Sequence, residues 1–390
     1  MKIKTILAFL LLLFFQGHIV AQDFKIHSDF PSGNIIIEKT RNDTVWMRPD
    51  LRDTKGEWFY WCFAVNQAKD KTLTFVFSRP NVFTVKGPAV SFDSGQNWEW
   101  PGIIPLKESF SYTFKNNAEV RFSMGMPYTQ KQFGLFIQPF LKSDLVTLYG
   151  LAKTKSGRDI ERLIIRPVNA EAKYKVLITA RHHACEMMAN YEMEGMIQAI
   201  MNDEWLKNHV EFCFIPFIDK DGVENGDQGK NRIPRDHNRD YSDKSVHEST
   251  AALRDWVPVW SEKKLAVCVD LHCPWIKGEN NENIYLPGAE NTKQADQEKL
   301  FCKLLKSTNN GELKISDKIY FPFGTGWNTS ANTTQGYSFK KWSSGLEGVK
   351  LSMTIEFPYS NNEGQTITQE NSRAFGTDLT QAIKKYLQQL

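Results

Sequence analysis

The stretch Lys175-Val176-Leu177-Ile178-Thr179-Ala180-Arg181-His182-His183-Ala184-Cys185-Glu186 decides the fold. A mostly apolar run of strand length breaks into a polar, reactive cluster, and the spacing predicts a helix from Glu186 to Met201. The pattern recurs downstream. Val210–Ile218 runs into a loop ending Asp236-His237-Asn238-Arg239, Leu265–Leu271 ends at His272, and Leu351–Ile355 ends at Glu356. Leu163–Arg166 is a further strand candidate. Helices are predicted at Thr292–Lys306 and at about Ser372–Gln389, where Phe375, Leu379, Ile383 and Tyr386 share one face. Apolar strands alternating with helices predict an α/β domain over 139–390, its mixed, largely parallel sheet flanked by helices. Functional residues of such sheets collect beyond the carboxyl ends of the strands. His183, Glu186, Asn238, Arg239, His272 and Glu356 are therefore directed toward one edge.

Upstream of about residue 135 the pattern differs. Short apolar or alternating runs (Asn34–Ile37, Trp58–Val65, Leu73–Phe77, Phe110–Phe114 and Glu119–Phe122) are separated by Gly, Pro, Asn and Asp. They predict an antiparallel β-sandwich domain over 22–138. Residues 1–21 carry Lys2 and Lys4, an apolar run from Ile6 to Phe15, and Ala21 before Gln22. That is the layout of a cleaved signal peptide and predicts a secreted or periplasmic protein. The run is too short to span a bilayer. Removing it takes two lysines and no acid, lowering the formal net charge from +3 to +1. So neutral a chain gives no case for nucleic acid, or for a membrane once the signal is cleaved. In the 390 residues, 41% hydrophobic and 24% charged content excludes a disordered chain, a collagen and a polytopic membrane protein. The six cysteines form no CxxC pair; they are expected to be mostly free, buried thiols, and Cys185 or Cys273 could enter a disulfide whose partner the sequence leaves open.

His183 and Glu186, three apart at a turn entering a helix, can reach one ion together. His272 would complete a three-ligand shell and leave a fourth position for water, the pattern of catalytic zinc. His182 is a competing ligand. Short motifs of this kind are weak alone; their occurrence with Glu356 and Asn238-Arg239 at equivalent strand ends strengthens them.

Five ordered motifs resemble the zinc carboxypeptidases, specifically the cytosolic-carboxypeptidase-like branch. They are Arg181-x-His183-x-x-Glu186, Asp219-x-Asp221-Gly222-Val223-x-x-Gly226, Asp236-x-Asn238-Arg239, Asp270-Leu271-His272 and Thr354-x-Glu356. The N-terminal half is similar to that branch's β-sandwich at Ser32-Gly33-Asn34, Arg48-Pro49-Asp50, Glu57-Trp58-Phe59-Tyr60, Ser94–Trp98 and Met126–Thr129. The resemblance implies one Zn2+ per chain held by His183, Glu186 and His272, with Asp236 hydrogen-bonding a ligand imidazole. Glu356 would be the general base. Asn238 and Arg239 would hold the substrate's terminal carboxylate, and Tyr337 would cover the substrate. An arginine would polarise the carbonyl; Arg232 and Arg235 compete, with similarity to digestive carboxypeptidases favouring Arg235. Cys273–Pro274 is expected to be cis. His237, Ala184-Cys185 and Cys273-Pro274-Trp275 depart from the branch's usual residues and leave its subsites open.

The expected activity is that of an exported metallocarboxypeptidase acting on a peptide with a free C-terminal carboxylate. An alternative keeps the zinc and takes peptidoglycan stem peptides or N-acyl substrates. A third, ranked last because all ligands and the base are present, is an inert binding protein.

Overall fold

The computed structural model describes residues 24–390, apart from 169, 170 and 243; the signal-like segment 1–21 lies outside the described residues. Eight strands build the N-terminal half: β1 (Lys25–His27), β2 (Ile36–Arg41), β3 (Thr44–Arg48), β4 (Cys62–Asn66), β5 (Thr72–Phe77), β6 (Ala89–Ser91), β7 (Ser109–Thr113) and β8 (Val120–Ser123). They form two four-stranded sheets, ordered β1-β4-β8-β6 and β2-β3-β5-β7. Phe63 and Phe122 from the first sheet meet Phe75 and Phe110 from the second with ring centroids 5.0–5.6 Å apart. Alternation along β5 directs Leu73, Phe75 and Phe77 into this core. The expected antiparallel pairing holds except between β3 and β5, which run parallel.

Helix α1 (Gln130–Ile137) precedes the second half. There a six-stranded sheet collects β9 (Val146–Lys153), β10 (Asp159–Ile165), β11 (Tyr174–Ala180), β12 (Val210–Ile215) and β13 (Leu265–His272). Two short strands, β14 (Leu286–Pro287) and β15 (Tyr320–Phe321), pair beside it, and β16 (Leu351–Glu356) completes the large sheet. Its order is β16-β13-β11-β12-β10-β9. The first four strands are mutually parallel, and β10 and β9 extend the edge antiparallel. β12 stops at Ile215, short of the predicted Ile218, because Pro216 has no N–H to donate to the ladder.

The helices are α2 (Met188–Met201), α3 (Glu204–His209), α4 (Lys220–Asn225), α5 (Glu248–Ser261), α6 (Thr292–Thr308), α7 (Phe339–Ser343) and α8 (Gln369–Leu387). A reciprocal Thr368–Asn371 capping box starts α8, and Phe375, Leu379, Ile383 and Tyr386 are all buried. Among the described residues, no helix is long and apolar enough to cross a membrane. All six cysteines are free and buried.

Candidate metal centre

Register places the reactive residues. In the parallel pairs, Ala180 lies opposite Leu271 and His272 opposite Glu356. The chain beyond β11 reverses at Arg181, whose φ is +62°. The buried Arg181 guanidinium fixes that turn, donating to the Ala184 carbonyl (3.1 Å), the Tyr128 carbonyl (2.9 Å) and Asn190 Oδ1 (2.7 Å). His183 and Glu186 are thereby brought against the end of β13.

His183 Nδ1 lies 2.9 Å from Glu186 Oε1, and His272 Nδ1 lies 2.7 Å from Glu186 Oε2. The opposite ring nitrogens face carboxylates: His183 Nε2 is 3.2 Å from Asp236 Oδ1, and His272 Nε2 is 2.7 Å from Asp270 Oδ2. Each outer carboxylate favours the Nε2–H tautomer and leaves the Nδ1 lone pair pointing inward. With both rings in that neutral tautomer, two imidazole lone pairs and a buried carboxylate converge on one point, an arrangement that a metal cation between them would satisfy. Their donor atoms lie within 4.8 Å of one another, and the nitrogen–oxygen set suits zinc. Without an ion the site stays charged. Burial opposes charging of His272, but Asp270 and Glu186 outweigh it and hold its pKa well above the ordinary value. Burial likewise opposes ionisation of Glu186, while His183, Lys230 and His272 hold its pKa well below the usual range.

His182, the competing ligand, is engaged elsewhere. Its Nδ1 is 2.7 Å from Asp270 Oδ1 and its Nε2 is 2.7 Å from the Tyr241 hydroxyl. With His272 it forms a second set of possible ligands, but the geometry is that of a buried relay, His272–Asp270–His182–Tyr241.

Next to the centre opens a cavity of about 1000 Å³, lined in part by His183, Asn238, Arg239, His272, Tyr337 and Glu356. Glu356 is buried, and among the described residues its Oε2 has no hydrogen-bond partner. Burial, reinforced by Glu186 and opposed by His272 and Lys230, lifts its pKa to about 7. Asp236 caps the short turn His237–Arg239, accepting from the Asn238 N–H (2.7 Å). Asn238 Oδ1 accepts from the Phe339 N–H (2.8 Å), which fixes the amide beside His272. Tyr337 is 47% exposed at the cavity rim.

The two arginines expected at the carbonyl are not at the cavity. Arg232 is bound by three carboxylates, those of Asp219 (2.5 Å), Asp227 (3.0 Å) and Asp53 (3.5 Å). Arg235 is drawn off by Asp240 (3.0 Å) and the Lys244 carbonyl (3.1 Å). The cation at the centre is Lys230, with Nζ 2.5 Å from Glu186 Oε1 and 3.2 Å from the Cys273 carbonyl it donates to. The Cys273–Pro274 bond is trans, leaving that carbonyl turned to Lys230; among the described residues the cis bond is Ile233–Pro234. The sandwich contributes Trp58, which also lines the cavity and packs on Trp275 with centroids 5.1 Å apart.

Lys230, Asp270 and Trp58 are the site residues that sequence reasoning missed. Strand alternation could have found Asp270, because residues 270 and 272 of one strand face the same side.

The sequence model of the zinc carboxypeptidase family matches residues 140–382. The chain belongs to the zinc carboxypeptidase family. The matched span contains the candidate ligands His183, Glu186 and His272 together with Glu356 and Asn238-Arg239, and the family's cofactor is Zn2+. Cytosolic carboxypeptidase 2 of Mus musculus is 23% identical over 301 residues, covering 68% of this chain and 34% of that protein. The chain thus spans about a third of that relative's length. An uncharacterised protein of Zymomonas mobilis is 22% identical, covering 94% of this chain and 97% of its own. Among solved structures, a putative carboxypeptidase from Burkholderia mallei superposes with a TM-score of 0.78 at 19% identity, covering 97% and 99% of the two chains. A metallo-carboxypeptidase from Burkholderia cenocepacia does so at 0.76 and 18% identity, covering 94% and 100%. Both matches span the N-terminal sheets as well as the zinc carboxypeptidase domain, so the two-part fold is shared.

Proposed function

We propose that this zinc carboxypeptidase is exported and removes the C-terminal residue of peptides, with Glu356 as general base. The observation that carries the reading is the in-register pairing of His272 with Glu356, beside one cavity that also holds Arg239. A terminal carboxylate seated on Arg239 and Asn238 would leave the last peptide bond near Glu356, and the planar guanidinium can bond both carboxylate oxygens. Bound zinc supplies Lewis acidity that makes water nucleophilic near neutral pH.

Glu356 suits the base because, among the described residues, its buried Oε2 carries no competing hydrogen bond, and because burial lifts its carboxyl well above the ordinary range, which strengthens it as a proton acceptor. It would take the proton from the attacking water and give it to the departing amine. Tyr337 at the rim would shield the bond under attack. The layout of residues 1–21 supports export.

The deciding experiment is mass spectrometry of a mixed peptide library incubated with the mature protein, with and without a zinc chelator. Chelator-sensitive loss of single C-terminal residues is the expected result. No loss from ordinary peptides together with cleavage of purified stem peptides would move the substrate to the cell wall. N-terminal sequencing of exported protein should begin at Gln22.

A further inference from the structure

We propose that Lys230 has two alternative partners: it is the counter-ion of Glu186 in the metal-free chain, and the donor that stabilises the substrate's carbonyl oxygen once metal is bound. The inference rests on the carboxypeptidase reading.

Among the basic residues between 230 and 239, the arginines are committed. Arg232 lies among three carboxylates, Arg235 is on Asp240, and Arg239 donates to the Asn238 carbonyl (2.6 Å) on the side assigned to the terminal carboxylate. Lys230 lines the same cavity as His183, His272 and Glu356. Its position is built rather than incidental. Gly229, with φ +80°, runs so close to the metal-binding turn that an added Cβ would lie 2.1 Å from the Ala184 nitrogen. The sandwich holds the preceding residues: Asp53 accepts from the Gln228 and Gly229 N–H groups (3.1 and 2.8 Å), and Gln228 Oε1 accepts from the Tyr60 N–H (2.8 Å). The Trp58 ring faces the ammonium, its centroid 5.5 Å from Nζ.

A dication on Glu186 and an ammonium on the same carboxylate compete. An ammonium on a flexible stem with three donors can turn to a new acceptor. As the water oxygen bonds to the carbonyl carbon, the C=O π pair moves onto oxygen, where Lys230 Nζ–H meets it without giving up its proton. On collapse that pair returns, the C–N bond breaks, and the amine leaves with the proton carried by Glu356. Lys230 stabilises charge that exists only in the transition state, so its removal lowers kcat more than it raises KM.

The test compares unaltered protein with Lys230→Met, Lys230→Gln and Lys230→Arg. It measures the zinc dissociation constant by chelator competition, kcat and KM on a cleaved peptide, and inhibition by a phosphonate peptide analogue. Lys230→Met should lower kcat by about 10²-fold, the range for losing one such donor. It should weaken the phosphonate at least about tenfold while binding zinc as tightly as the unaltered protein or more tightly. Lys230→Arg should restore most of the phosphonate affinity. Lys230→Gln repeats the readings if the Met variant fails to fold. A zinc-loaded Met or Gln variant with near-normal kcat and phosphonate affinity overturns the proposal, as does a fall in kcat matched by a loss of zinc affinity. If the unaltered, zinc-loaded protein cleaves no peptide, the carboxypeptidase reading fails; the order of zinc affinities still decides whether Lys230 competes for Glu186.

Discussion

Replacing Asp270 by Asn tests how the outer carboxylates set the metal centre. Asp270 is fully buried and has three partners: His272 Nε2 at 2.7 Å on Oδ2, with His182 Nδ1 at 2.7 Å and Thr179 Oγ1 at 2.8 Å on Oδ1. Burial opposes its charge, but His182 and His272 outweigh that and hold its pKa far below the usual carboxylate range. An amide of the same shape has one acceptor and one donor. If its NH2 faced His272, the proton of that ring would be forced onto Nδ1, the atom turned toward Glu186, and the ligand would be lost. If its oxygen faced His272, the NH2 would face His182 Nδ1. The His182 proton would then move to Nε2, and the Tyr241 hydroxyl 2.7 Å away would have to accept it. The second arrangement keeps the ligand tautomer and loses only the charge. The expected loss in zinc affinity is therefore about 10–100-fold, or about 1.4–2.7 kcal/mol. Adding Tyr241→Phe removes the acceptor that the rescue needs and should deepen the loss. The assay is zinc competition against a chromophoric chelator on metal-stripped protein, with melting of the metal-free protein as the folding control. A zinc dissociation constant for folded Asp270→Asn within about threefold of the unaltered value would refute the tautomer argument, since a typical change here is at least tenfold.

Glu356→Gln leaves His183, Glu186 and His272 in place and should keep zinc by elemental analysis while lowering kcat at least about 10²-fold. On the proposed mechanism Glu356 acts only when ionised, so kcat/KM should fall as pH drops through its pKa. That value is about 7 without metal, and bound zinc lowers it, which puts the acid limb below about pH 7. Lys230 also lowers it, so the limb should move to higher pH in Lys230→Met, read from a pH–rate profile. Gly229→Ala meets both a left-handed φ and the His183–Ala184 backbone; roughly 1–2 kcal/mol of backbone strain plus the clash should appear as a lowered melting temperature and weaker zinc binding.

The sheet was legible because its central strands are buried on both faces. In a strand such as Leu265–His272, buried throughout, the stretch Leu265–Val269 reads as a continuous apolar run, as buried parallel strands do. Glu248–Ser261 was not read as a helix: it carries an internal Pro258, and Trp256 and Trp260 stack outside its buried face, which blurs the periodicity. β9 was missed because an antiparallel edge strand with several exposed residues lacks the apolar signal of its neighbours. At the centre, the sequence reading named residues at strand ends, which chain order and strand polarity fix. It placed Arg232 or Arg235 at the cavity, where the structure has Lys230, because charge pairing is three-dimensional. Nothing along the chain tells that Asp219, Asp227 and Asp53 take up Arg232, leaving Lys230 to face Glu186.

The same logic explains why the resemblance runs through the sandwich and does not stop at the catalytic half. Several of its N-terminal motif positions meet the 224–229 segment. The Ser32 N–H donates to the Glu224 carbonyl (2.9 Å), and Asn34 Nδ2 donates to the Gly226 carbonyl (2.7 Å). Gln228 is pinned on both sides by the Tyr60 backbone (2.8 Å each). That segment has little regular structure of its own after α4 ends at Asn225, and it leads directly into Lys230. A loop that holds a cation against the buried Glu186 carboxylate needs its backbone groups satisfied by something rigid. The sandwich meets that need by supplying donors and acceptors from its own loops. It also walls the cavity with Trp58. On this geometry the N-terminal half is part of the apparatus that sets the charge at the centre, and a catalytic half expressed without it would keep His183, Glu186 and His272 yet lose the contacts that aim Lys230.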